Sequence, residues 1–280
     1  MQKKIAVIND IAGYGRCAMT VLLPIISYMG VQACPLLTSV FSSNTAFPDF
    51  YMDDYTDRME AYIESWEKIG LQKRFDGIAT GYLGSVRQIE IVRRFVREFS
   101  GEGTLVIVDP VMGDHGRLYS AYTVELCTEL RKLVALADII TPNLTEACHL
   151  TDMPYKEKGW KRKELFEMAA CLSAMGPSHV VITGILQGEY IANYVYVKTG
   201  KEDPSARLIR VHRAGEERCS TGDVFSAVVA ADALNGVPFD KSVRKASGFV
   251  KLCIEKALEL GTPPAEGVPF ETVLNRLRRG

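Results

Sequence analysis

The chain is predicted to adopt an α/β fold in which a mostly parallel central sheet carries helices on both faces. Three observations carry this reading. Short apolar runs recur along the chain without strict alternation, as expected of strands covered on both sides. Segments with apolar residues at helical spacing separate them. Polar residues gather just after the runs, at the strand ends where open parallel sheets collect their ligands.

The elements follow in order. Lys4–Ile8 is the first strand, entered directly from Met1-Gln2-Lys3, and its apolar run is too short for a signal peptide. Cys17–Met29 is helix-like, and Gln32–Leu37 is the second strand. Tyr55, Met59, Tyr62, Ile63, Trp66 and Ile69 recur at helical spacing before the third strand, Gly77–Thr80. Val86, Ile89, Val92, Phe95, Val96 and Phe99 mark a further helix. Thr104–Val108 and Asp138–Thr141 are the fourth and fifth strands. The helix Lys161–Met175 stops at Gly176-Pro177 and leads to a sixth strand, His179–Thr183. Beyond it, Tyr190–Val197 and Arg207–Arg213 read as a hairpin around the polar turn Thr199–Pro204. The Ala214–Ser220 loop then opens a helical C-terminal region. With no repeat, low-complexity tract or linker, residues 1–280 read as one domain.

Composition narrows the function classes. Thirty-three basic residues nearly balance 34 acidic ones, so no global field recruits nucleic acid or an anionic membrane. No apolar run reaches the roughly 18 residues of a membrane span. Seven scattered cysteines without a C-x-x-C pair speak against a disulfide framework or a zinc site, and a reducing cytoplasm is the expected compartment. Cys219 stands apart because it adjoins the segment discussed next.

Ser220-Thr221-Gly222-Asp223 opens the apolar stretch Val224–Ala230. Small residues at a helix start let consecutive N–H groups surround one anion, and the helix dipole favours a phosphate there. Asp223 at the same end is placed to take a proton from a hydroxyl attacking that phosphate, which is the requirement of phosphoryl transfer to an alcohol. The same four residues also read as an ordinary capped helix start. Asn143 and Glu146, three apart, read equally well as a capping box. Polar groups follow every predicted parallel strand: Asn9-Asp10, Ser42–Thr45, Gly81-Tyr82, Asp109–Asp114, Pro142-Asn143 with Glu146, and Gly184.

The order of five segments resembles the pyridoxal kinases. These are Thr80–Ser85, Asp109-Pro110-Val111-Met112-Gly113-Asp114, Ala137–Asn143 with Glu146, Met175-Gly176-Pro177 before Val180–Thr183, and Thr221-Gly222-Asp223; Ser42–Thr45 also resembles that family. The resemblance spans nearly the whole chain and implies a ribokinase-like fold without a separate lid domain. It implies ATP-dependent phosphorylation of the 5′-hydroxymethyl group of pyridoxal, pyridoxine or pyridoxamine, and a homodimer. By resemblance Asp223 is the general base, and Ser220, Thr221 and Gly222 form the anion hole. Asp114 and Glu146 hold Mg²⁺ through water, and Asp109, Asp114, Tyr119, Asn143, Glu146 and Thr183 serve ATP. Asp10, Thr45 and Tyr82 face the vitamer.

Departures from the family bear on substrate and rate. Serine stands at 220 where glycine is usual, at little cost if its φ is negative but with about 1 kcal/mol of strain if φ is positive. Asn44 replaces a frequent histidine and Ala46 a frequent glycine. Two alternatives accompany the vitamer reading. One is a hydroxymethylpyrimidine or hydroxymethylpyrimidine-phosphate kinase, whose family carries cysteine where Asp223 stands. The other is a catalytically silent protein that binds pyridoxal phosphate or a nucleotide.

Overall fold

A computed structural model describes residues 1–119, 122–198, 200, 202–216 and 218–277. The chain begins with β1 (Lys4–Tyr14), α1 (Met19–Tyr28), β2 (Gln32–Ser43), β3 (Met52–Asp54) and α2 (Thr56–Lys68). β4 (Gly77–Thr80), α3 (Val86–Phe99) and β5 (Leu105–Val108) follow, then the short hairpin β6 (Gly113–Asp114) and β7 (Arg117–Leu118). α4 (Val124–Val134), β8 (Ile139–Ile140), α5 (Leu144–Thr151) and α6 (Arg162–Met175) lead into β9 (His179–Gln187), β10 (Tyr190–Val197) and β11 (Ser205–His212). α7 (Thr221–Leu234), α8 (Phe239–Glu259) and 3-10 turns at Pro264–Glu266 and Phe270–Leu277 complete the described chain. Thr199 and Lys201 of the expected polar turn, and Glu217 of the expected loop, lie outside the described residues.

Nine strands form one sheet in the order β11-β10-β9-β8-β5-β4-β1-β2-β3. Its centre, from β2 to β9, is parallel, whereas β3, β10 and β11 run antiparallel to their neighbours. Side chains of the central strands alternate between two cores: Ala6, Ile78, Val106 and Ile140 pack with α2 to α6, and Ile5, Ala79, Ile107 and Ile139 with α1, α7 and α8. Burial on both faces explains why these runs show no polar alternation.

The first two strands are longer than the sequence predicts. β1 runs on to Tyr14 and β2 to Ser43, pairing to the end, so Asn9, Asp10, Ser42 and Ser43 lie in strands rather than in loops. Asn-Asp looks like turn chemistry in isolation, but Asn9 pairs with Leu37 of β2, a partner remote in sequence. A bulge between Asn9 and Ile11 skips Asp10. Such bulges re-aim a side chain. β9 likewise extends past Thr183 to Gln187 because β10 continues to pair with it.

α7 is the element that positions the site. Val224 to Ala231 are all buried, so the helix has no solvent face over two turns. It packs against α1 and α8 and runs along β4 and β5, with Leu234 at the Gly77 end of β4. Asp223, in the first turn, is thereby carried to the carboxyl edge of the sheet.

Candidate active site

The start of α7 exposes donors. Ser220 is left-handed (φ 68°, ψ 0°), and the helix follows at once. A left-handed residue before right-handed ones turns successive N–H groups to one side, a concavity suited to an anion. The first bond of the helix runs from the Val224 N–H to the Ser220 carbonyl at 2.9 Å. Thr221, Gly222 and Asp223 donate their N–H groups to none of the described residues. Space in front of Gly222 is open: an added Cβ there would meet nothing within 4 Å.

The positive φ resolves the condition set by the sequence. Serine at 220 is strained where glycine would not be, by about 1 kcal/mol, and its buried Oγ has no hydrogen-bond partner among the described residues. Ser220→Gly should therefore raise the melting temperature, while changing kcat by less than about tenfold, since the N–H groups stay where they are. A kcat gain of about a hundredfold would instead mark the natural chain as a near-silent binder. The measurements are thermal unfolding and turnover at saturating ATP and pyridoxal.

Asp223 is half-buried, and its Oδ2 accepts the Ala18 N–H at 2.8 Å. That donor comes from the turn before α1, where Ala18 itself has φ 47°. Burial pushes the Asp223 carboxyl up to about 6, against the pull of the Ala18 N–H. Asp10, buried in the β1 bulge, is raised to about 7 by burial and by the charge of Asp223. Burial also lifts Asp109 to about 7, with Asp223 adding and the Ser226 and Thr141 hydroxyls opposing. The Ser226 hydroxyl donates to Asp109 Oδ2 and lies 3.2 Å from Thr141 Oγ1.

Asn143 and Glu146 do form the capping box. The Glu146 N–H donates to Asn143 Oδ1 at 3.0 Å, and the Asn143 N–H to Glu146 Oε2 at 2.8 Å. The box leaves Glu146 buried beside Asp109, with Oε1 accepting the Met112 N–H at 3.2 Å. Burial and Asp109 hold its carboxyl well above the usual range. Asn143 Nδ2 donates to the Gly113 carbonyl at 2.8 Å, tying the α5 cap to the β6–β7 hairpin. Capping and a place in the site are thus the same geometry.

The remaining predicted residues take varied positions. Asp114 is exposed on the hairpin, close enough to raise Glu146 further. Tyr119 is partly exposed, and its phenol is raised by burial and then by Glu146, Asp114, Asp223 and Asp109. Thr183, half-buried, bridges β9 to Asn143 and donates its N–H to the Pro142 carbonyl at 2.8 Å. Tyr82 is half-buried, edge-on to Phe41 and Tyr122, and raised by burial and by Asp10. Thr45 is exposed at the turn beyond β2. Cys219 is half-buried, and burial together with Asp223 holds its thiol above the usual range, so it offers no thiolate at neutral pH.

Sequence reasoning gave no role to three supporting groups. Asn9 Oδ1 accepts the N–H groups of Tyr82 at 2.8 Å and Asp10 at 3.0 Å. Gly81 lets it in: a Cβ there would sit 2.5 Å from Asn9 Nδ2. Ser226, a hydroxyl inside an apolar helix three residues past Asp223, was a readable signal. The Ala18 N–H carried none, because a backbone donor leaves no mark on residue type.

The donor set suits a hard divalent cation such as Mg²⁺. Asp109, Asp114 and Glu146 offer only oxygen, and among the described residues no lysine or arginine pairs with Asp10, Asp109, Glu146 or Asp223. No preformed group of three or more metal-ligating side chains occurs among the described residues. An ion at these carboxylates would take its remaining ligands from phosphates and water.

The uncompensated acids set an unusual pH dependence. A carboxyl whose folded pKa is raised contributes stability that is complete below its unfolded pKa and is lost as pH rises through the folded one. With Asp223 near 6 and Asp10 and Asp109 near 7, the melting temperature of the free protein should rise as pH falls from 8 to 5. Turnover should fall over the same range as Asp223 takes up its proton. Parallel declines of both would contradict the assignment.

The chain is similar to known kinases in sequence and in fold. A sequence profile of the phosphomethylpyrimidine kinase family matches residues 23–266. A crystallised Bacteroides thetaiotaomicron protein described as a phosphomethylpyrimidine kinase is 38% identical, with a TM-score of 0.95, covering 100% of this chain and 95% of that one. Its orthorhombic form, crystallised with pyridoxal, superposes with a TM-score of 0.93 over 99% and 96% of the two chains. The pyridoxal kinase of Arabidopsis thaliana is 29% identical over 82% of this chain and 74% of its own. No helix among the described residues is long and apolar enough to cross a membrane. The chain belongs to the phosphomethylpyrimidine kinase family, within the ribokinase-like group that includes the pyridoxal kinases.

Proposed function

We propose that this chain is an ATP-dependent kinase of vitamin B6, transferring the γ-phosphoryl group to the 5′-hydroxymethyl group of pyridoxal, pyridoxine or pyridoxamine. The observation that carries the proposal is the pairing of Asp223, oriented by the Ala18 N–H, with the unpartnered N–H groups of residues 221–223. Oxygen O5′ attacks the γ-phosphorus, its proton passes to the Asp223 carboxylate, and the bond from phosphorus to the β,γ-bridging oxygen breaks. The three N–H groups stabilise charge on the equatorial oxygens as it builds. Mg²⁺ bound with ATP, held by Asp114 and Glu146, would neutralise charge on the phosphates. Tyr119 and Thr183 border the nucleotide side, and Asp10 and Tyr82 the vitamer side. A carboxylate at Asp10 can accept a hydrogen bond from a protonated pyridine nitrogen or from the phenolic hydroxyl of the vitamer.

The family profile favours a second reading, a hydroxymethylpyrimidine kinase; the Haemophilus influenzae hydroxymethylpyrimidine/phosphomethylpyrimidine kinase is 30% identical over 65% of this chain. ATP consumption across pyridoxal, pyridoxamine, pyridoxine and hydroxymethylpyrimidine decides between them. A kcat/KM at least about tenfold higher for a B6 vitamer, a difference near 1.4 kcal/mol, supports the proposal; preference for the pyrimidine overturns it.

A further inference from the structure

The far edge of the sheet holds a second concavity. β11 is the edge strand, and with β10, α6 and α8 it borders a cleft of about 710 Å³. Two leucines floor it, and Arg162, Arg207, Arg210, Arg244, Tyr194 and Gln187 line it. The guanidiniums come from three separate elements: Arg162 from the first turn of α6, Arg207 and Arg210 from β11, and Arg244 from α8. Only Arg207 has a carboxylate partner there, Asp240 at 2.8 Å. Arg162 spends its donors on the Ala206 carbonyl at 3.4 Å and the Tyr194 hydroxyl. Arg210 and Arg244 pair with no carboxylate among the described residues.

This convergence does not follow from composition, since the chain carries a net charge of −1. Guarding an edge strand against pairing explains charged residues on β11 itself. It does not explain the exposed arginines that α6 and α8, from opposite faces of the sheet, add to the lining of the same cleft. We propose that the cleft binds a multiply charged, phosphate-bearing small molecule. Guanidinium forks match phosphate oxygens two at a time, Gln187 adds a neutral polar group, and the volume is that of a small-ligand site. The site lies apart from the start of α7. Four strand spacings separate β11 from β5, which precedes Asp109, a span of roughly 20 Å. The cleft offers neither a raised acid nor a thiol, so its role is binding without chemistry.

The test uses the full chain and inorganic pyrophosphate. Arginine Nε–H resonances are followed by NMR during titration, with Arg210 and Arg244 assigned from single variants. The signals of both should shift, and Arg210→Gln/Arg244→Gln should raise the dissociation constant read at the remaining cleft arginines at least about tenfold. Arg210→Lys, which keeps charge and loses the fork, should fall between. A second titration with adenosine diphosphate separates the sources: tighter binding than pyrophosphate means the nucleoside is read as well, and equal binding means the phosphates suffice. Phosphorylation of B6 vitamers in the double variant should stay at the natural level, so this result is independent of the activity proposed above. Absence of Arg210 and Arg244 shifts, or equal pyrophosphate affinity in the double variant, overturns the proposal. So does binding of a short single-stranded RNA by a cleft that ignores both small phosphates.

Discussion

Asp223→Asn is expected to lower kcat by about two to four orders of magnitude while leaving ATP affinity nearly unchanged. The amide keeps the size of the side chain and can still accept the Ala18 N–H through its oxygen. It cannot take a proton from the attacking hydroxyl, whose pKa near 16 leaves it a poor nucleophile at neutral pH. The N–H groups of residues 221–223 belong to the backbone and survive the change, so phosphate binding should persist. Rapid-quench turnover with pyridoxal, beside nucleotide binding by calorimetry, separates the two effects. Near-natural kcat would remove Asp223 from its role, and a matching loss of ATP affinity would make it a structural residue of the nest.

Glu146→Gln should have the next largest effect, and on two observables together. Both carboxylate oxygens accept backbone N–H groups, from Asn143 and from Met112. A glutamine must turn its NH₂ toward one of them, setting donor against donor inside the protein at a cost of about 1–3 kcal/mol. The melting temperature should fall, and the Mg²⁺ concentration for half-maximal activity should rise about tenfold or more. Asp114→Asn distinguishes the causes. Asp114 is exposed, so its substitution should leave the melting temperature alone while shifting the Mg²⁺ profile in the same direction. An unchanged Mg²⁺ profile in Glu146→Gln with a raised vitamer KM would move that residue to the substrate side.

The two substitutions illustrate how differently the site is encoded. The apolar runs, the helical periodicities and the order of the polar segments are properties of residue type and spacing. They sufficed to read the parallel sheet and to gather Asp10, Tyr82, Asp109, Glu146 and Asp223 at one edge. Strand ends were less legible. Asn9-Asp10 carries turn chemistry, and only the pairing of β1 with β2 out to Ser43 makes it strand, with the bulge that turns Asp10 inward.

Residue identity alone determined the fold class, the family and the acids that populate the site. Burial depends on neighbours far apart in the chain, so only the tertiary structure decided which acids would be raised toward neutrality. It also decided that the cap at Asn143–Glu146 and the acid beside Asp109 are one arrangement, and that Ser220 is left-handed. Backbone donors such as the Ala18 N–H are common to nearly every residue, and it is the fold that aims this one at Asp223.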